Sequence, residues 1–153
     1  MMRKSASIAF ASAAILIVVS GCGSIDLPAG YIKVKNQWGY DLKGVSARGN
    51  VIALNSRPNE DKSASLEFWS EAIAYQKVDI DGMKLAKRES IRSQGGRDGV
   101  LFHFEAGEGR VKTAYLVALY VTPMRIYTVE ATGPEDAVAK DMDKLRRSML
   151  SMR

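Results

Sequence analysis

The sequence predicts an α+β fold, a mostly antiparallel sheet flanked by helices, and three observations carry that prediction. Between Met83 and Thr132 four β-type runs follow one another, parted by turns rich in glycine or containing proline, which is the pattern of a meander. Two other segments, Ser63 to Lys77 and Gly133 onward, switch to the helical period. No internal repeat or linker divides the chain, so one layered domain has to bury both kinds of element.

Taken in order, Tyr31 to Lys35 alternates apolar and basic residues and reads as a first strand. Residues 36–50 hold Trp38, Tyr40 and three glycines and are expected as turns around a short element. Val51 to Leu54, bounded by Asn50 and Asn55, reads as a buried strand, and Arg57 to Lys62 as a polar loop. In Ser63 to Lys77, Leu66, Trp69, Ile73 and Gln76 share one side, with Phe68 and Ala72 beside them, as in an amphipathic helix. Asp79 to Gly82 closes it. Met83 to Arg92 follows as a long strand, then Val100 to Glu105 after a glycine turn. In Val111 to Thr122, Tyr115, Val117, Leu119 and Val121 point one way, and Leu116, Ala118 and Tyr120 the other. Both sets are apolar, which predicts a central strand covered on both faces. Arg125 to Thr132 completes the meander. Pro134 opens the last helix, with Glu135 and Asp136 in its first turn and arginines 146, 147 and 153 toward its negative end. Its apolar stripe is Val138, Met142, Leu145, Met149 and Met152.

The N-terminus carries a different message. Arg3 and Lys4 precede an apolar run from Ile8 to Val19, about twelve residues long and short of the ~20 that a spanning helix needs. The run ends in Val19-Ser20-Gly21-Cys22, which resembles the bacterial lipobox, where small residues precede the cysteine that receives a diacylglycerol thioether. Residues 1–21 are then a cleaved signal, 22–30 a short lipidated tether, and 31–153 a single globular domain. The alternatives are an uncleaved anchor or a plain signal peptide that ends in cysteine. Cys22 is the only cysteine, so no intrachain disulfide exists in an exported protein, and acylation accounts for the thiol. Such lipoproteins carry further acyl chains on that cysteine, and two or more chains anchor stably where one does not. In a Gram-negative cell, Gly23 after the cysteine favours the outer membrane over the inner, on the periplasmic side.

Composition is that of a globular protein, with 46% hydrophobic and 25% charged residues. Removing residues 1–21 deletes two bases and no acid, leaving 20 basic against 17 acidic side chains, a net charge of +3 where the full chain has +5. That excess suits a surface near anionic headgroups and is no nucleic-acid signature.

Few residues carry chemistry. His103, the one histidine, shares a strand face with Leu101 and Glu105, and any Ser-His-Asp triad would have to use it. One histidine and a lipidated cysteine do not fill an ordinary zinc ligand set. Asp79-Ile80-Asp81-Gly82 resembles the start of a calcium loop, but Met83, Lys84 and Ser90 fall where that loop needs an acceptor, a glycine and a glutamate. The expectation is therefore no catalytic residue, no metal and no cofactor. Lys84, Arg88 and Arg92 are expected on one strand face as a basic stripe about 27 Å long, either an interaction surface or a solvated edge protected against aggregation. Trp38, Tyr40, Phe68, Trp69 and Tyr115 are candidates to line a ligand pocket, centred near Trp69 and Tyr115, or simply core.

The order of elements, with Leu66-Glu-Phe-Trp69 in the first helix, Asp81-Gly-Met-Lys-Leu-Ala86, Tyr127-Thr-Val-Glu-Ala131 and Leu145-Arg-Arg-Ser-Met149 at the end, resembles the PsbP-like α/β/α sandwich. DcrB-type bacterial lipoproteins and Ran-binding Mog proteins are similar in fold. The resemblance spans about Tyr31 to Arg153 and implies a non-enzymatic binding or assembly factor. The expected function is thus a membrane-anchored envelope lipoprotein that binds another envelope protein or stabilises a complex. The alternative is a small-molecule carrier or sensor.

Overall fold

The computed structural model describes residues 23–35, 39–107 and 109–153. The strands are β1 (Tyr31–Lys33), β2 (Leu42–Ser46), β3 (Val51–Pro58), β4 (Lys84–Arg92), β5 (Asp98–Ala106), β6 (Thr113–Val121) and β7 (Arg125–Pro134). Helix α1 (Leu66–Tyr75) joins β3 to β4, and α2 (Glu135–Leu150) follows β7. The strands form one sheet in the order β1-β2-β3-β7-β6-β5-β4, every neighbouring pair antiparallel. The predicted α+β class and the four-strand meander are observed. β7, which pairs with both β3 and β6, is the middle strand, and β6 lies beside it.

β6 shows why one sheet needs two layers of cover. Leu116, Ala118 and Tyr120 face a core built with Ile52, Leu54, Val129, Val138, Leu145 and Met149 beneath α2. Val117 and Leu119 face the opposite core, with Val100, Phe102, Phe104 and Ile126 beneath Leu66, Trp69 and Ile73 of α1. The result is an α/β/α sandwich. The stripe predicted for α2 is its buried face: Val138, Leu145, Met149 and Met152 are wholly inaccessible. Tyr120, buried in that layer, donates its hydroxyl proton to the Met149 carbonyl at 2.9 Å, and its desolvated phenol is pushed up to about 12.

β3 extends to Pro58 and β7 to Pro134, beyond the expected Leu54 and Thr132, and both ends of α1 also differ from expectation. Helix α1 starts when the Ser65 hydroxyl accepts from the Phe68 amide at 3.2 Å, and the chain then continues through a π-helical turn, Gln76–Ile80, beyond the Lys77 end that periodicity gave. The turn closes at Asp81, whose carboxylate takes Gln76 and Lys77 as donors at 3.0 Å each. Gly82, at φ 70°, then reverses the chain, a conformation that costs a residue with a Cβ.

The larger correction concerns the tether predicted over residues 22–30. From Gly23 on, this segment belongs to the domain. Ser24 and Arg153 exchange backbone hydrogen bonds at 3.1 and 3.2 Å, Ile25 is buried in the α2-side core, and the Asp26 amide donates to Ser151 Oγ at 2.8 Å. Asp26 also receives Arg153 through both guanidinium nitrogens, and that hydrogen-bonded cation holds its carboxyl below the usual range. A Cβ on Gly23 would stand 2.3 Å from Met152 Cε and 2.6 Å from the Tyr127 ring, so only glycine fits there. Composition marks Gly23–Pro28 as loop because its partners lie more than a hundred residues away.

Candidate functional site

Helix α1 covers β5 and β6 but leaves the same side of β7 and β3 open. Where the loop after β3 rises beside the first turn of α1, it frames a groove of about 640 Å³ lined by Arg57, Pro58, Ser65, Phe68, Trp69 and Ile126, with Glu60 and Asp61 on its rim. Its floor is held from below. Buried Asn59 donates to the carbonyls of Ala64 and Thr122, each at 3.1 Å, and accepts the Trp69 indole N–H at 3.3 Å. Phe68 stands edge-on to that indole at 5.2 Å and is 58% exposed. The Arg57 guanidinium lies 4.7 Å from the Trp69 ring centroid, within cation–π range.

The groove thus combines flat aromatic surface, one cation and a rim of carboxylates. Of the hydroxyls along the groove, Ser63 Oγ donates to Asp61 at 2.6 Å and Ser65 Oγ accepts from the Phe68 amide. The bonds from Ser63 lower the Asp61 carboxyl, which makes it a poorer base.

Trp69 and Tyr115, on which the predicted pocket was centred, are not brought together. Lys77, which lies over the Tyr115 ring at 4.7 Å, is two helical turns from Trp69, about 12 Å along the axis. Tyr115 packs on Phe104 and donates its hydroxyl proton to Glu130. Burial, with that carboxylate beside it, raises the phenol above its ordinary range. Glu130 and Lys77 border a separate slot of about 200 Å³ with Asn55, Ile73 and Thr128. Trp69 therefore lines the larger groove, and Tyr115 is a wall of the sandwich.

The basic stripe is also undone. A bulge at Ala86 shifts the register between Leu85 and Lys87, and a one-residue shift sends side chains to the other face. Lys84 pairs with Glu105, on the α2 side of the sheet with His103, whereas Arg88 pairs with Phe102 and Arg92 with Asp98 on the α1 side. Each cation has an acidic neighbour: Lys84 has Glu105 at 3.5 Å, Arg88 has Glu71 at 2.6 Å and Glu67 at 3.6 Å, and Arg92 has Asp98 at 3.1 Å. These are ties between α1, β4 and β5.

His103 faces Glu89 at 3.7 Å. Glu89 is in turn bonded by Arg146 of α2 and paired with Lys87 at 3.0 Å. The Arg146 hydrogen bond, opposed by partial burial and aided by Lys87, holds the Glu89 carboxyl at about 2. Desolvation lowers the His103 pKa despite that anion. The cluster is an ionic clasp between the β4 edge and α2. Cys22, the predicted lipid site, lies outside the described residues.

Of the aromatics expected at a pocket, Phe68 and Trp69 line the groove and Trp38 lies outside the described residues, whereas sequence reasoning missed Arg57 and Asn59. Trp69 was the available signal, but only the folded chain shows which residues support its indole.

The sequence matches no protein-family model and no curated protein. Solved structures do match. LpqN of Mycobacterium tuberculosis, described as involved in cell envelope biogenesis, superposes with a TM-score of 0.68 over 85% of this chain and 81% of its own, at 11% identity. The cyanobacterial PsbP protein CyanoP of Synechocystis sp. PCC 6803 gives a TM-score of 0.57 over 94% of this chain and 97% of its own, at 13% identity. The fold is PsbP-like. A Bacteroides thetaiotaomicron protein also matches, at a TM-score of 0.54 and 11% identity, over 86% of this chain and 44% of its own length. At these identities the PsbP-like likeness is one of architecture, and the groove residues are this chain's own.

Proposed function

We propose that this chain is a cell-envelope lipoprotein, anchored through acyl chains on Cys22, whose PsbP-like domain is a non-enzymatic module binding another envelope protein. The groove carries this reading: Trp69 and Phe68 offer aromatic surface, Arg57 offers a cation, and no nucleophile stands beside a competent base there. The description of LpqN as involved in cell envelope biogenesis supports an envelope setting. In a Gram-negative cell Gly23 after Cys22 favours the periplasmic side of the outer membrane.

A photo-crosslinking residue placed at Phe68 in intact cells should give a discrete protein adduct, lost when Arg57→Glu is added and missing when the crosslinker replaces Val111. Indistinguishable adducts from both positions, or none from Phe68, would overturn the binding role. Separately, Cys22→Ser should release the protein from membranes. A membrane-bound, fully processed Cys22→Ser protein would sink the anchor.

The size of the groove favours a second reading, a small-molecule carrier or sensor, since about 640 Å³ lies within the range of ligand pockets. Native mass spectrometry separates the two. A carrier purified from its own envelope should show a bound small molecule that Trp69→Ala removes.

A further inference from the structure

If Cys22 bears the lipid, the acyl chains begin one residue from Gly23, and Gly23 is clamped against Met152 and Tyr127. Consecutive Cα atoms are 3.8 Å apart, so almost no slack separates the domain from its anchor. The exit direction is also set. Leu27 packs against Gly44, beside Ile52, which pairs with Ala131 of β7. Gly23 packs against Tyr127, four residues earlier on β7. The segment Gly23–Leu27 thus runs along the strand axis, and its continuation toward Cys22 leaves at the end of the sheet that bears the β6–β7 turn.

That end has the chemistry of a lipid-facing surface. Arg97 lies over the Tyr127 ring at 4.9 Å. Arg125, two residues before Tyr127 on β7, donates to Ser56 Oγ at 2.9 Å. Neither an aromatic ring nor a hydroxyl neutralises a guanidinium. Both arginines are partly exposed. Beyond them projects Met124, 63% exposed at the tip of the turn. An apolar tip beside partly exposed arginines is the arrangement that enters an interface and meets anionic phosphates.

We propose that the sheet end formed by the β6–β7 turn, Arg97 and Arg125 rests directly on the bilayer, with Met124 in the interfacial region and the two arginines against anionic phospholipid headgroups. This rests on the anchor reading above. The domain is then held in one orientation, and the aromatic groove, bordered by Pro58 and Ile126 at the same end of the sheet, opens just above the headgroups.

The test uses the full processed protein, reconstituted into phosphatidylcholine vesicles with or without phosphatidylglycerol. With Cys22 acylated, the wild type takes no thiol-reactive fluorophore, so Met124→Cys and Val111→Cys are each labelled at one site. Val111 lies in the β5–β6 turn, at the opposite end of the sheet. Nitroxide-bearing lipids should quench the label at 124 and leave the label at 111 unquenched. Phosphatidylglycerol should deepen the quenching at 124, and Arg97→Gln with Arg125→Gln should abolish that gain. A flexible spacer inserted between Cys22 and Gly23 should bring quenching at 124 down to the level at 111. Equal quenching at both positions in bound, acylated protein overturns the orientation while leaving the anchor intact. Labelling of the wild type, with an unacylated mass, overturns the anchor and the orientation with it.

Discussion

The two faces of the sheet are covered to different standards. On the α2 side, a sixteen-residue helix, the clamped segment from Gly23 and the chain end at Arg153 close over one continuous core. On the α1 side, a ten-residue helix spans β5 and β6 and stops, leaving the groove by Trp69 and the slot by Glu130. Of the twelve largest fully buried side chains, eight lie on the first face, and Phe102, Phe104, Leu119 and Ile126 lie on the second. Phe68, Tyr75 and Ile80 stay exposed along the second. The more complete cover is on one side, and the exposed aromatic surface on the other.

That contrast breaks most directly at Leu145, which is fully buried. Leu145→Ala should cost about 2–5 kcal/mol in urea unfolding, the range for a large-to-small change in a packed core. A loss below about 1 kcal/mol would mean that the α2 layer is loosely packed. Next comes the clamp: Gly23→Ala pushes a methyl group into Met152 and Tyr127, and should destabilise by about 1–3 kcal/mol through overpacking. An unchanged midpoint would show that residue 23 swings free. Tyr120→Phe removes the bond to the Met149 carbonyl and should cost about 1 kcal/mol.

Acid sharpens the comparison, because the titrating clasp lies on the α2 side. Glu89 is depressed from 4.5 to about 2 in the folded chain. Its contribution is fully present above pH 4.5 and is lost as pH falls toward 2. His103 is depressed as well, so the unfolded chain takes up its proton first and stability falls with pH there too. The Glu89 pair is partly screened by solvent, so the effect is about 1 kcal/mol or less. Arg146→Gln should flatten the acid limb of midpoint against pH, and an unaltered slope would assign the acid loss to other carboxylates. Smallest of all, Phe68→Ala on the open face should change stability in urea unfolding by no more than about 0.5 kcal/mol.

What was legible in the sequence follows from how local the signal is. The double-faced apolar alternation of β6 and the stripe of α2 can be read because each residue's environment repeats along its own segment. Ala86 offers no such clue: a bulge in β4 arises from pairing with β5, and it moves Lys84 to the opposite face from Arg88. Gly23–Pro28 looks like a tether because its partners are Tyr127, Ser148, Ser151 and Arg153. The groove was half legible. Trp69 stood out by type, but Arg57 sits at the end of β3 in a stretch that reads as loop, and Asn59 acts through three hydrogen bonds that only the closed fold provides.

The pairing of Ser24 with Arg153 has a consequence for the order of assembly. Asp26 and Arg153 are 127 residues apart in sequence, so this clasp is among the longest loop closures in the molecule and a slow class of contact to form. A chain that emerges from its N-terminal side can build the meander and seat α1 early. It cannot clamp Gly23 until residues as late as Met152 and Arg153 have arrived. The position nearest the proposed lipid is therefore the last part of the domain to become rigid, and deleting the final two residues should leave the sheet formed and the N-terminal segment unlatched.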